Sequence, residues 1–133
     1  MSDADARNEL ICTLIQKAEE DMALLEKIVD DEAISSEIFG FHSQQAIEKL
    51  LKALLMSKIV PFRRTHDLGE LIDLCSEHDI EVPDELYDID DLTPFAVEYR
   101  YGVFTPSNKE VFSRQGALER VKEVHRWVQF QIK

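Results

Sequence analysis

The stretch FHSQQAIEKLLKALLMSK, residues 41–58, holds four polar side chains of the types a phosphate-bearing ligand needs: His42, Gln45, Lys49 and Lys52. An ammonium is a point charge suited to phosphate, an amide reads a base edge or a hydroxyl, and an imidazole donates or exchanges a proton. At about 100° per residue, a helix would place these four within an arc of roughly 80°. Ile47, Leu50, Leu51, Leu54 and Leu55 would fill an arc of roughly 140° centred nearly opposite, which is the expected core face. The polar strip then has two readings, a ligand face or the solvated side of an amphipathic helix.

Other residues extend the first reading. Arg63 and Arg64 either continue the basic strip or pair with the acidic stretch 77–91. Arg100, between Tyr99 and Tyr101, suits a phosphate contact or a buried pair with Glu98. His66, just before Asp67, suits capping of a helix or packing under a bundle. Arg120 is followed by four residues and then His125, two residue types that can stabilise charge and move a proton. On a regular helix, however, the two would stand about 140° apart, and with seven arginines and four histidines a chance match is ordinary. No His or Cys residues show metal-ligand spacing, and the acidic clusters at 19–21, 30–32 and 88–91 read as solvated. Neither a metal nor a cofactor is expected. Trp127 and Phe130 read as core or interface rather than as a base-stacking platform.

The elements that position these residues are read from periodicity. With four Gly, four Pro and no alternating β-branched runs, the 133 residues read as helix throughout. Ile11, Leu14, Ile15, Ala18, Met22, Leu25 and Val29 form one stripe. Ser35 or Ser36 caps the next helix, which runs to about Lys58 and ends before Pro61. Asp67 with Glu70 makes a capping-box-like start for a short third helix. Pro83-Asp84 opens another helical stretch, with a kink or restart at Thr93-Pro94. Ser107 with Glu110 is a capping box, and the last helix carries Ala117, Val121, Val124 and Val128. The fold class is therefore all-α, an antiparallel up-and-down bundle of four or five helices in a single domain over residues 1–133.

Net charge is −12, which argues against a protein that coats nucleic acid generally. The charge is segregated: residues 1–40 and 67–99 are strongly acidic, while 41–66 and 100–133 each carry a surplus of bases. Two basic segments meeting in a bundle would make one anion-attracting face; equally, they would simply pair with the acidic helices. There is no run of 18 apolar residues, and the N-terminus MSDADARNEL is acidic and polar, so neither a membrane span nor an export signal is expected. Cys12 and Cys75 then read as reduced core thiols of a cytoplasmic protein.

HSQQAIEKLLKALL, then RTHDL, then YRY before a loop and a final long helix, resembles the HEPN domain over most of the chain. The resemblance implies a helical bundle that binds a nucleotide or other phosphate ligand, commonly as a homodimer. It also implies a minimal nucleotidyltransferase as partner in a toxin–antitoxin-like module. Many HEPN proteins are metal-independent ribonucleases that use an Arg followed by four to six residues and a His. Here the matching Arg100 is followed by Thr105, Pro106 and Ser107 at those distances, and Tyr101 stands where catalytic members carry a polar residue. The expectation is a non-catalytic binding subunit contacting its ligand through His42, Gln45, Lys49, Lys52, Arg64 and Arg100. The alternatives are a ribonuclease toxin using Arg120 and His125, and a pure protein-interaction adaptor.

Overall fold

The computed structural model describes residues 2–96 and 113–133. Four α-helices appear in these residues: α1 Asp3–Ile28, α2 Ser36–Ser57, α3 Leu68–Glu77 and α4 Arg114–Ile132. A 3-10 helix, Asp84–Ala96, lies between α3 and α4 in sequence, and no strand occurs among the described residues. The all-α bundle expected from periodicity is the fold.

Each α-helix starts where a short polar side chain can accept from a free backbone N–H. Ser2, Ser35, Asp67 and Ser113 accept from the amides of Asp5, Ile38, Glu70 and Gly116 at 3.0–3.2 Å. Ser35, one of the two expected caps, is the one used. The last helix is capped by Ser113; Ser107 and Glu110 lie outside the described residues. At α3 only half of the capping box forms. Glu70 does not return to the Asp67 amide, which donates instead to Thr65 Oγ1, and the Glu70 carboxylate binds Arg63. The remaining free amides of this helix are met from the 3-10 helix, Leu68 N by Thr93 Oγ1 and Gly69 N by Asp90 Oδ1, both at 3.0 Å. The stretch expected to kink at Pro94 is a continuous run of 3-10 turns. It carries Leu86, Ile89, Leu92 and Phe95 into the core.

α2 is the hub, packing on all three other helices and the 3-10 helix. Its Ile47, Leu50, Leu51, Leu54 and Leu55 are fully buried, as the pattern requires. The α1 stripe is the expected one at Ile11, Ala18 and Leu25, with Asp21 and Ile28 buried in place of the neighbouring Met22 and Val29. Ile11, Ala18, Asp21, Leu25 and Ile28 face inward, and Met22 and Val29 only pack against the edge of the core. Cys75 is a core thiol, its pKa pushed up by burial to about 12, but Cys12 is exposed and not part of the core. No described helix is long and apolar enough to cross a membrane.

α4 is fixed at both ends. Arg114 donates to the carbonyls of Ile28, Asp31 and Ile34 and lies 5.6 Å from the centroid of the Phe39 ring. At the other end Lys58 Nζ donates to Gln131 O at 2.8 Å, and Trp127 Nε1 to Glu81 O at 3.1 Å.

α2 ends in a Schellman turn, with Val60 N donating to Leu55 O and Ile59 N to Met56 O. The turn puts Ile59 at φ 58°, a left-handed conformation that a β-branched residue tolerates poorly. Its side chain is 69% exposed, so little burial would be lost on removing it. Ile59→Gly is expected to raise stability by about 1 kcal/mol, read as a higher urea midpoint at unchanged slope.

Candidate functional site

The polar strip of α2 is organised around two inward-facing carboxylates that belong to no expected site. Asp21 lies on the α1 core stripe between Ala18 and Leu25, so the fold must bury it against α2. There its two oxygens divide between His42 Nδ1 at 3.0 Å and Lys49 Nζ at 2.7 Å. Glu48, one turn before Lys52 and one after Gln44, is 6% exposed. Its Oε1 accepts from His66 Nδ1 at 2.7 Å and from Gln44 Nε2 at 2.9 Å; its Oε2 accepts from Lys52 Nζ at 3.0 Å.

The arrangement is therefore the same unit twice, a buried carboxylate joining one histidine to one lysine. A chain of amides extends the second unit. Gln45 Nε2 donates to Gln44 Oε1 at 2.7 Å, and Gln44 Nε2 donates to His66 O as well as to Glu48. Among the described residues no buried side-chain nitrogen or oxygen lacks a partner. Lys52 also stands 5.9 Å from the Phe62 ring centroid, within cation–π range.

Burial works against ionisation of Glu48. Hydrogen bonds from Gln44, His66 and Lys52, with the Lys52 charge, outweigh it and hold the carboxyl below its ordinary value. Facing a carboxylate, each Nδ1 carries the proton of the bond, so that in a neutral ring Nε2 is the bare nitrogen. No partner for either Nε2 is found among the described residues. The His66 side chain is 56% exposed and that of His42 29%, against 27% for Lys49 and 16% for Lys52.

The structure thus brings His42, Gln45, Lys49 and Lys52 together, and adds Asp21, Gln44, Glu48 and His66 to them. It does not leave the strip as an unpaired basic face, because each lysine is already bonded to a carboxylate. Arg64 is exposed, with no ion pair among the described residues, and Arg63 pairs with Glu70 rather than with the acidic stretch 77–91. Arg100 lies outside the described residues. Arg120 is held by Asp88, with two nitrogens on its carboxylate, and by Glu123, while His125 binds Glu19 on α1. Within one chain these two side chains are committed to opposite neighbours and form no joint site.

A cleft of about 600 Å³ is lined by Leu86, Arg120, Arg126, Trp127 and Phe130, and one of about 450 Å³ follows the seam between the 3-10 helix and α4. Neither is lined by the α2 strip.

Asp21 was hidden in the sequence inside the run EED, which reads as solvated. Its signal is position, three residues after Ala18 and four before Leu25 on the buried stripe. Gln44 and Glu48 give a similar signal through their i, i+4 spacing with Lys52. His66 had no local signal for its carboxylate partner, which stands 18 residues away.

The family model of the HEPN domain matches residues 12–131, nearly the whole chain, and the protein belongs to that family. No curated protein and no solved structure shows a significant match.

Proposed function

We propose that this HEPN protein binds a phosphate-bearing ligand, a nucleotide or an RNA end, on the α2 strip. In this reading it serves as the non-catalytic, homodimeric binding subunit beside a minimal nucleotidyltransferase. The observation that carries the reading is the doubled carboxylate–histidine–lysine unit. It concentrates four nitrogen-bearing side chains on one side of a central helix and pre-orients each of them, which lowers the ordering cost of holding an anion. Each ammonium spends one donor on its carboxylate and keeps two. Arg64 on the neighbouring segment and Arg100 are the further cations the reading assigns to the ligand. The separate anchoring of Arg120 and His125 favours binding over strand cleavage by that pair.

The test is a thermal-shift and calorimetric titration with ATP, GTP, UTP and a short RNA. A ligand of the folded state at a hundredfold excess over its Kd adds about 2.7 kcal/mol of stability. Lys49→Gln with Lys52→Gln, which removes both charges but keeps an amide donor for Asp21 and Glu48, is expected to abolish that gain while circular dichroism remains helical. An equal gain in the double variant would remove the site from α2, and no response to any ligand would turn the search to a protein partner.

A further inference from the structure

Resting on that reading of the α2 strip, we infer that its ligand binding is coupled to proton uptake on His42 and His66, and that this coupling selects a terminal phosphate over an internal phosphodiester. The inference follows from where the histidine protons already are. In both units Nδ1 donates to a carboxylate, so a neutral ring turns only the Nε2 lone pair toward a ligand. A lone pair repels a phosphate oxygen. Only the imidazolium, protonated at Nε2 as well, can donate to it.

The charge balance points the same way. Asp21 with Lys49 is neutral, as is Glu48 with Lys52, so with neutral rings the strip offers an anion no net charge. Protonating both rings makes it doubly positive, matching a phosphomonoester, which is largely a dianion above its second pKa of about 6. A phosphodiester is a monoanion and repays only one of the two protonations.

Among the described residues the other nearby charges are engaged elsewhere, except Arg64, whose single positive charge falls short of the two negative charges of a terminal phosphate. On α1, Glu19 is turned to His125 and Glu20 to Lys17, leaving Asp21 as the acid facing His42, with Lys49 on its other oxygen. Around His66, α2 contributes Glu48 and Lys52, and Asp67 caps α3. Arg64 lies on the same segment, and Glu70 of α3 is held by Arg63. Affinity for a terminal phosphate should therefore rise as pH is lowered, until the phosphate itself takes up its second proton at about pH 6.

The experiment is isothermal calorimetry of the full chain at pH 7.5 with AMP, and with a dinucleoside monophosphate that has no terminal phosphate. Each titration is run in two buffers of different ionisation enthalpy. The expected result is an AMP heat that differs between buffers by about one to two protons taken up per ligand, with AMP bound at least about tenfold more tightly than the dinucleotide. The uptake should fall in His66→Gln and in His42→Gln, each of which keeps an amide donor for its carboxylate. AMP binding that depends on Lys49 and Lys52 but gives the same heat in both buffers would overturn the proton coupling and leave the ligand site standing. Absence of binding by both compounds would overturn the site and the coupling together.

Discussion

Replacing Glu48 by Ala is expected to destabilise the protein by about 3–5 kcal/mol at pH 7, the cost of leaving one partner of a buried ion pair alone. Lys52 would lose its acceptor at a site where its side chain is only 16% exposed. Gln44, fully buried, would lose the acceptor for one of its two amide protons, and His66 would lose its anchor to α2. The loss should depend on pH in a defined direction. The folded-state pKa of Glu48 lies below its ordinary value of 4.5. Its contribution is therefore present in full above that value and disappears as pH falls through the lower folded-state value. Urea unfolding should thus show the gap between wild type and Glu48→Ala at its widest near neutrality, closing only in acid below pH 4.5. A neutral-pH loss under about 1 kcal/mol would mean that the Glu48 unit does not contribute to stability as a buried ion pair does.

Gly40→Ala is the second large effect, and here two terms oppose each other. Glycine inside a helix costs about 1 kcal/mol relative to alanine, so propensity alone favours the substitution. A Cβ at this position, however, would stand 2.1 Å from Phe95 Cδ1, far inside contact distance. Phe95 is 4% exposed and seated between α2 and the rest of the 3-10 helix, so its ring has no free space to enter. Overpacking of this kind costs about 1–3 kcal/mol and occasionally more, so the steric term wins and a net loss of about 2 kcal/mol is expected. The diagnostic control is Gly40→Ala with Phe95→Leu, which trades the ring for a smaller side chain. It should recover part of the loss, whereas Phe95→Leu in the parent should only destabilise. Greater stability in Gly40→Ala alone would show that the ring does not cover Gly40.

These two sites mark what the sequence could and could not convey. The core face of α2 was legible because five apolar residues repeat at the helical period and one burial rule decides them all. The caps at Ser35 and Asp67 were legible because a cap is a local bond, made three residues away. The α2 strip was legible as a grouping, since His42, Gln45, Lys49 and Lys52 share a side of the helix whatever packs against it. Its partners were not, because Asp21 is reached across α1 and His66 across the turn before α3, and no local pattern reports which carboxylate a lysine will meet. The α1 stripe misled for a related reason. Met22 is the greasier residue, but Asp21 has the Lys49 ammonium and the His42 ring opposite it, and a paired acid can occupy a core position that a lone acid could not. Gly40 gave no sign of its role, since the ring above it comes from position 95.

The anchoring of α4 has a consequence for how this chain can vary. Arg114 ties the first turn of α4 to the end of α1 and the turn that follows it, and Lys58 and Trp127 tie its far half to the ends of other elements. The register of the helix is thus set by bonds from both its ends to α1, to the end of α2 and to the segment before the 3-10 helix. Substitutions on the exposed face of α4 that spare the bonds of Arg114, Lys58 and Trp127 should therefore leave the alignment of the bundle unchanged.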